Sequence, residues 1–257
     1  MIYLSNKVNF KGSVVLNPVP VVMITCRNKE GKDNVFTVGW IGTVCTKPPM
    51  LSISIRPSRL SYEYIKETME FTVNLPSINL TRAVDYCGVR SGRNTDKIKE
   101  LNFTMKEGTN INVPYIDECP ISIECKVKNI LPLGTHDIFI AEVVGSHINS
   151  NLMDEKCKIH FEKANLITYC HGEYFKMDTK ALGKFGYSVA KNPKAKEFIK
   201  EKYSNNIKEK DNKNSNNKTY KDKSNSTKGK NKSKKSSIKV KSKNNKKKLN
   251  SQKKGMI

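Results

Sequence analysis

Short apolar runs of β type, separated by turn-forming residues, recur from Val19 to Phe175. Residues 19–25 form the first run. A turn cluster follows, Arg27-Asn28-Lys29-Glu30-Gly31-Lys32-Asp33, and residues 35–44 form the next run, which together predict a hairpin. Pro48-Pro49 interrupts the chain and residues 50–55 resume it as a strand. Residues 61–68 have helical spacing, with Tyr62, Ile65 and Met69 on one face. Residues 70–75 read as a strand stopped by Pro76, and residues 79–86 as a short helix with Asn79 as N-cap. Cys87 to Arg93 reads as a loop, and residues 95–101 as a second short helix capped by Asn94 or Thr95. Residues 121–130 alternate in polarity through Ile123, Cys125 and Val127. Leu131-Pro132-Leu133-Gly134 turns the chain into a strong strand over 137–148, and residues 167–175 close the series. The pattern predicts a mainly β domain with small helices, a closed barrel with helical insertions.

Charge divides the chain. Residues 204–257 hold 19 Lys against 3 acidic residues, so they carry +16 of the overall +23. That stretch has few aromatic or branched apolar residues, Tyr220 and Val240 among them, and cannot bury enough surface to offset its conformational entropy. One globular domain over 1–190 and a disordered Lys/Asn/Ser-rich tail over 191–257 are therefore expected. Such a tail attracts polyanions weakly and without sequence preference; drift of composition toward Lys and Asn explains it as well.

The remaining chemistry narrows the classes. The opening Met1–Lys7 stretch lacks an apolar core and a small-residue cleavage site, and no run approaches the length of a membrane span. The seven cysteines are odd in number and form no CxxC pair. Reduced thiols in a cytoplasmic protein are the expected state. His136, His147, His160 and His171 lie on separate segments without metal-ligand spacing, so no metal site is expected. A Ser-His-Asp order, paired catalytic carboxylates, a GxxxxGK[ST] loop and a GxGxxG turn are all missing, which argues against a built-in Rossmann site.

What stands out is the succession Pro20-Val21-Val22, Thr37-Val38-Gly39-Trp40, Pro48-Pro49, Ser54-Ile55-Arg56-Pro57-Ser58, Tyr62, Asn74-Leu75-Pro76, Val84-Asp85-Tyr86-Cys87-Gly88, Ser91-Gly92-Arg93, Asp96-Lys97 and Glu118-Cys119-Pro120. In order and spacing it resembles the flavin reductase-like family, flavoredoxin branch, over residues 17–190. The resemblance implies an FMN-binding split β-barrel, usually a homodimer. It also implies an oxidoreductase that moves reducing equivalents from NAD(P)H, or from a redox partner protein, through FMN.

The resemblance also implies a cofactor site made of Asn34, Thr37, Val38, Gly39, Trp40, Ser52, Ile53, Ser54, Ile55, Arg56, Ser58, Tyr62, Cys87, Gly88, Ser91, Gly92 and Lys97. A dianionic phosphate needs charged or hydroxyl donors, and Arg56, Ser58, Ser91 and Lys97 are of the right type. Gly88 and Gly92 would let backbone amides approach. Backbone groups of Thr37 to Trp40 and Ser52 to Ile55 would meet the polar edge of the ring. Trp40 is either packing in the core or dimer, or stacked on flavin. Tyr62 either faces the cofactor or caps its helix, and Cys87 shapes the loop before Gly88. His171 is a surface residue or a contact for nicotinamide or a partner subunit. A flavin-binding carrier or sensor without reductase activity is the alternative, as is polyanion binding through the tail.

Overall fold

The computed structural model describes residues 7–189. The tail expected over 191–257, with its polyanion contact, lies outside the described residues. The elements in chain order are β1 (Val19–Pro20), β2 (Val22–Arg27), β3 (Asp33–Val38), β4 (Ile41–Thr46), β5 (Pro49–Ile55), α1 (Leu60–Thr68), β6 (Glu70–Leu75), α2 (Thr81–Val89), α3 (Lys97–Glu100), β7 (Met105–Lys106), β8 (Tyr115–Ile116), β9 (Ile121–Pro132), β10 (Asp137–Ile148), β11 (Ile167–Cys170) and β12 (Glu173–Lys176). Seven strands form one antiparallel sheet in the order β3-β2-β6-β9-β10-β5-β4, and β1-β11-β12 form a small second sheet. No helix among the described residues is long and apolar enough to cross a membrane.

The β2–β3 hairpin is buried on both faces, which is why its sequence reads as near-continuous apolar runs. Side chains alternate along a strand. Ile24, Phe36 and Val38 therefore enter the barrel core with Ile53, Ile65, Phe71 and Phe139. Met23 and Val35 point the other way, against Val84, Cys87 and Ile116. This second cluster seats α2 on the outside of the sheet.

The structure corrects several local expectations. The run over 35–44 is not one strand: it breaks at Gly39-Trp40 into β3 and β4, the two edges of the sheet. Cys87 and Gly88 belong to α2 rather than to a loop. The helix expected over 95–101 is only α3, and its N-cap is Asp96, whose Oδ1 accepts from the Lys99 amide at 3.1 Å. The segment over 167–175 folds back as the β11–β12 hairpin, turning at His171-Gly172, both at positive φ.

Candidate functional site

Because β3 and β4 are consecutive in sequence yet at opposite ends of the sheet, the barrel is split between them. A bond from the Ser54 amide to the Trp40 carbonyl, 3.0 Å, extends the β4–β5 pairing back to Trp40 at the mouth of the split. A cleft of about 540 Å3 opens at this split. Its floor is the end of β3, with Thr37, Val38, Gly39 and Trp40, beside the end of β5, with Ser54, Ile55 and Arg56. Arg59, Asp85, Gly88, His136, Tyr169 and Tyr174 complete the wall. An edge strand leaves main-chain N–H and C=O groups without ladder partners, so this floor offers backbone donors and acceptors to a ligand.

A smaller pocket continues from the cleft and shares Phe36, Thr37, Arg59 and Gly88 with it. It is bounded by Asn34, the first turn of α1 at Leu60 and Ser61, and the loop Arg90-Ser91-Gly92 with Lys97. The first-turn amides of α1 and three cationic residues, Arg59, Arg90 and Lys97, meet here, an arrangement suited to an anion. Lys97 is only 3% exposed. Its Nζ donates to the Arg90 carbonyl at 3.1 Å and the Cys87 carbonyl at 3.4 Å, which leaves one of its three N–H donors. Burial, and secondarily Arg59, draw its pKa below the usual lysine value.

Asn34 bolts this pocket together. Its Nδ2 donates to Ser61 Oγ at 2.7 Å, tying β3 to α1. A Cβ on Gly92 would fall 2.3 Å from Asn34 Oδ1, so only glycine lets the loop pass so close. Gly88 serves differently from expectation. It lies within α2, and a Cβ there would meet Thr37 Cβ at 3.4 Å, an ordinary van der Waals contact, so the helix packs on the strand beside the cleft without needing a glycine. Thr37 holds the same contact by donating its hydroxyl to the Val84 carbonyl.

At the other end, Arg56 Nε donates to His136 Nε2 at 3.4 Å, while His136 Nδ1 lies 3.0 Å from Thr135 Oγ1. The imidazole rests 4.4 Å from the Trp40 ring. Burial, then the Arg56 and Arg59 charges, lower the His136 pKa and favour neutral imidazole. Asp85 Oδ1 accepts from Tyr174 Oη at 3.1 Å; burial and that carboxylate push the phenol up to about 12.

The structure thus gathers Asn34, Thr37, Val38, Gly39, Trp40, Ser54, Ile55, Arg56, Cys87, Gly88, Ser91, Gly92 and Lys97 around one continuous cleft. Five expected residues do not line it. Ile53 is wholly in the core, and Ser52 lies mid-strand between β4 and β10. Ser58 sits in the exposed turn before α1. Tyr62 neither caps its helix nor faces the cleft: it points inward, edge-on to Phe139, and donates to Asp137 Oδ2 at 2.7 Å. His171 is exposed at its hairpin tip, and it is Gly172 that reaches the cleft. Sequence reasoning missed Arg59, although it stands at the N-cap of α1 three residues after Arg56. Asp85 lay inside the Val84 to Gly88 motif without being named as a site residue, and His136, Tyr169 and Tyr174 arrive only through tertiary pairing.

The family model for the flavin reductase like domain matches residues 15–178. The chain belongs to that family. Among solved structures of its flavin reductase-like relatives, flavoredoxin of Desulfovibrio vulgaris (Miyazaki F) superposes with a TM-score of 0.66 at 25% identity, covering 72% of this chain and 100% of that one. Flavoredoxin from Methanosarcina acetivorans gives 0.65 at 28% identity, with the same two coverages, 72% and 100%. In sequence, an NADH:riboflavin 5'-phosphate oxidoreductase from Streptomyces pristinaespiralis is 21% identical over 136 residues, 53% of this chain and 74% of that protein. The fold is the split barrel of these flavin reductase-like proteins.

Proposed function

We propose that this chain is an FMN-binding oxidoreductase that passes reducing equivalents from NAD(P)H, or from a redox protein, through the flavin. The observation that carries this reading is the continuity of a ring-sized cleft at the barrel split with a small cationic pocket at one end. FMN has that shape and charge distribution: a flat ring and a phosphate dianion joined by a short polar chain.

The residues fit the cofactor. Lys97, Arg59, Ser91 and the first turn of α1 would hold the phosphate, with Gly92 letting the loop close over it. Main-chain groups of Thr37 to Gly39 would meet the polar edge of the ring, and Trp40 with His136 would flank its open side. Bound flavin supplies the hydride and electron chemistry; the protein's part is positioning and electrostatics. Arg56 and Arg59 keep positive charge along the cleft, and neutral His136 adds none to it. The uncovered outer side of β4, where Val44 is 52% exposed, supports pairing of two copies at this edge.

The test is the visible spectrum of the purified chain with added FMN, recorded without oxygen before and after NADH or NADPH. Bleaching by a pyridine nucleotide is the expected result. Bleaching by dithionite alone would leave an electron carrier, and failure to take up FMN would overturn the reading.

A further inference from the structure

After β12 the chain changes character. Over residues 182–189 four large apolar side chains recur, Leu182, Phe185, Tyr187 and Val189, with Lys180 before them and Lys184 between them. Leu182 and Phe185 are fully exposed, and Val189 and Tyr187 are 80% and 61% exposed. Single exposed apolar residues are ordinary on a folded protein, but four within eight consecutive positions mark a run that has no cover of its own. None of the four lines the cleft or the smaller pocket.

Charge supplies the other half of the pattern. Neither Lys180 nor Lys184 has a carboxylate within 4.0 Å among the described residues. In sequence the run leads into the stretch over 204–257 that holds 19 Lys against 3 acidic residues. A dissolved polyanion would use the lysines and leave the aliphatic side chains of Leu182 and Val189 in water. A bilayer surface with anionic headgroups takes both. Apolar side chains enter the boundary between headgroups and acyl chains, and lysines lie against the phosphates. Stable attachment to such a surface needs two signals, because a short apolar insertion or a basic run is weak and reversible by itself. Here the two are adjacent in the chain. No helix among the described residues is long and apolar enough to cross a membrane, so a helical span is not the mode of contact.

We propose that residues 180–189 and the lysine-rich stretch after them are a peripheral anchor for an anionic lipid surface, with Leu182 and Phe185 as the inserting side chains. The anchor lies outside the cleft, so it goes beyond the flavin reading and neither depends on the other.

Sedimentation of the full-length chain with vesicles of phosphatidylcholine, with and without phosphatidylglycerol, tests this against a Leu182→Ser/Phe185→Ser variant. Both side chains are exposed, so the variant should keep the melting temperature of wild type. At 0.15 M salt wild type should bind the phosphatidylglycerol vesicles at least about tenfold more tightly than the neutral ones, and about 1 M salt should weaken that binding. The variant should lose about tenfold in affinity, the scale of partial burial of two apolar side chains. Single-stranded poly(U), bound in solution, is the control: its affinity should be the same for wild type and variant. Failure to bind phosphatidylglycerol vesicles overturns the anchor. Equal vesicle binding by wild type and variant also overturns it, since charge alone would then suffice. Equal binding to both vesicle types removes the anionic surface, and an equal loss of poly(U) binding in the variant reassigns the run to nucleic acid.

Discussion

The side-chain amide of Asn34 occupies the space that a Cβ on Gly92 would need, 2.3 Å from Oδ1. A buried strand residue thereby dictates how near the Ser91-Gly92 loop comes to the first turn of α1. Gly92→Ala should push the loop outward and weaken FMN binding by about tenfold, with little change in melting temperature because the loop is at the surface. Trimming the opposing side chain in Gly92→Ala/Asn34→Ser should recover part of that loss. Flavin titration of wild type, both single variants and the double variant reads the coupling; strictly additive effects would contradict the contact.

Lys97 tests the phosphate assignment. Lys97→Met keeps length and apolar bulk at a nearly buried position but removes the charge. A charge-assisted hydrogen bond is worth about 1.5–3 kcal/mol, so FMN affinity should fall by about ten- to a hundredfold. Riboflavin, which lacks the phosphate, should bind wild type and variant equally. Since burial depresses this lysine, FMN affinity in wild type should begin to fall with rising pH before the ordinary lysine value of 10.5 is reached. Equal losses for FMN and riboflavin would reassign Lys97 to structure.

Tyr62 should matter for stability alone. Tyr62→Phe removes the bond to Asp137 but keeps the ring against Phe139. The expected cost is about 1–2 kcal/mol in chemical denaturation, with FMN affinity unchanged. A large loss of FMN binding at unchanged stability would return Tyr62 to the cleft.

Glu124 should make the domain acid-sensitive. It is fully buried and accepts from the Thr109 and Asn110 amides at 2.6 and 2.8 Å, from Asn110 Nδ2, and from His147 Nε2 at 2.6 Å. Burial alone would raise its pKa, but these bonds hold it below the usual carboxylate value. A carboxyl depressed in the folded state contributes stability above its unfolded pKa, near 4.5, and loses it as pH falls through the folded value. Glu124→Gln should cost about 3 kcal/mol at pH 7 and flatten the acid limb of stability below about pH 4.5. Denaturation at pH 7 and pH 3.5 checks both; an undiminished acid limb would move the sensitivity elsewhere.

Local signals carried much of the architecture. The strand over 137–148 and the β2–β3 hairpin follow from runs bounded by turn residues, and α1 from the spacing of Tyr62 and Ile65. The break at Gly39-Trp40 was hidden because a run of β-formers looks the same whether it makes one strand or two edges. The lining of the smaller pocket was readable in Ser91, Gly92 and Lys97, which are close in sequence. Arg59 directly follows the Ser54 to Ser58 motif but was overshadowed by Arg56 and Ser58. His136 is brought beside Arg56 by the pairing of β10 with β5, and no window shorter than 80 residues contains that relation. Tyr62 was ambiguous because a tyrosine before a helix turn suits a core or a cleft equally; the buried Asp137 decided it.

The split in the barrel has a consequence for how the site tolerates change. Main-chain amides and carbonyls at an unpaired edge are present whatever side chain stands there, so the ring recognition proposed for Thr37 to Gly39 would be insulated from ordinary substitution. Such replacements reshape the walls and leave the floor's hydrogen-bonding edge intact. Proline is the exception, since it alone erases an amide. Drift in this lineage can thus retune which molecule meets the ring long before it loses the ring itself.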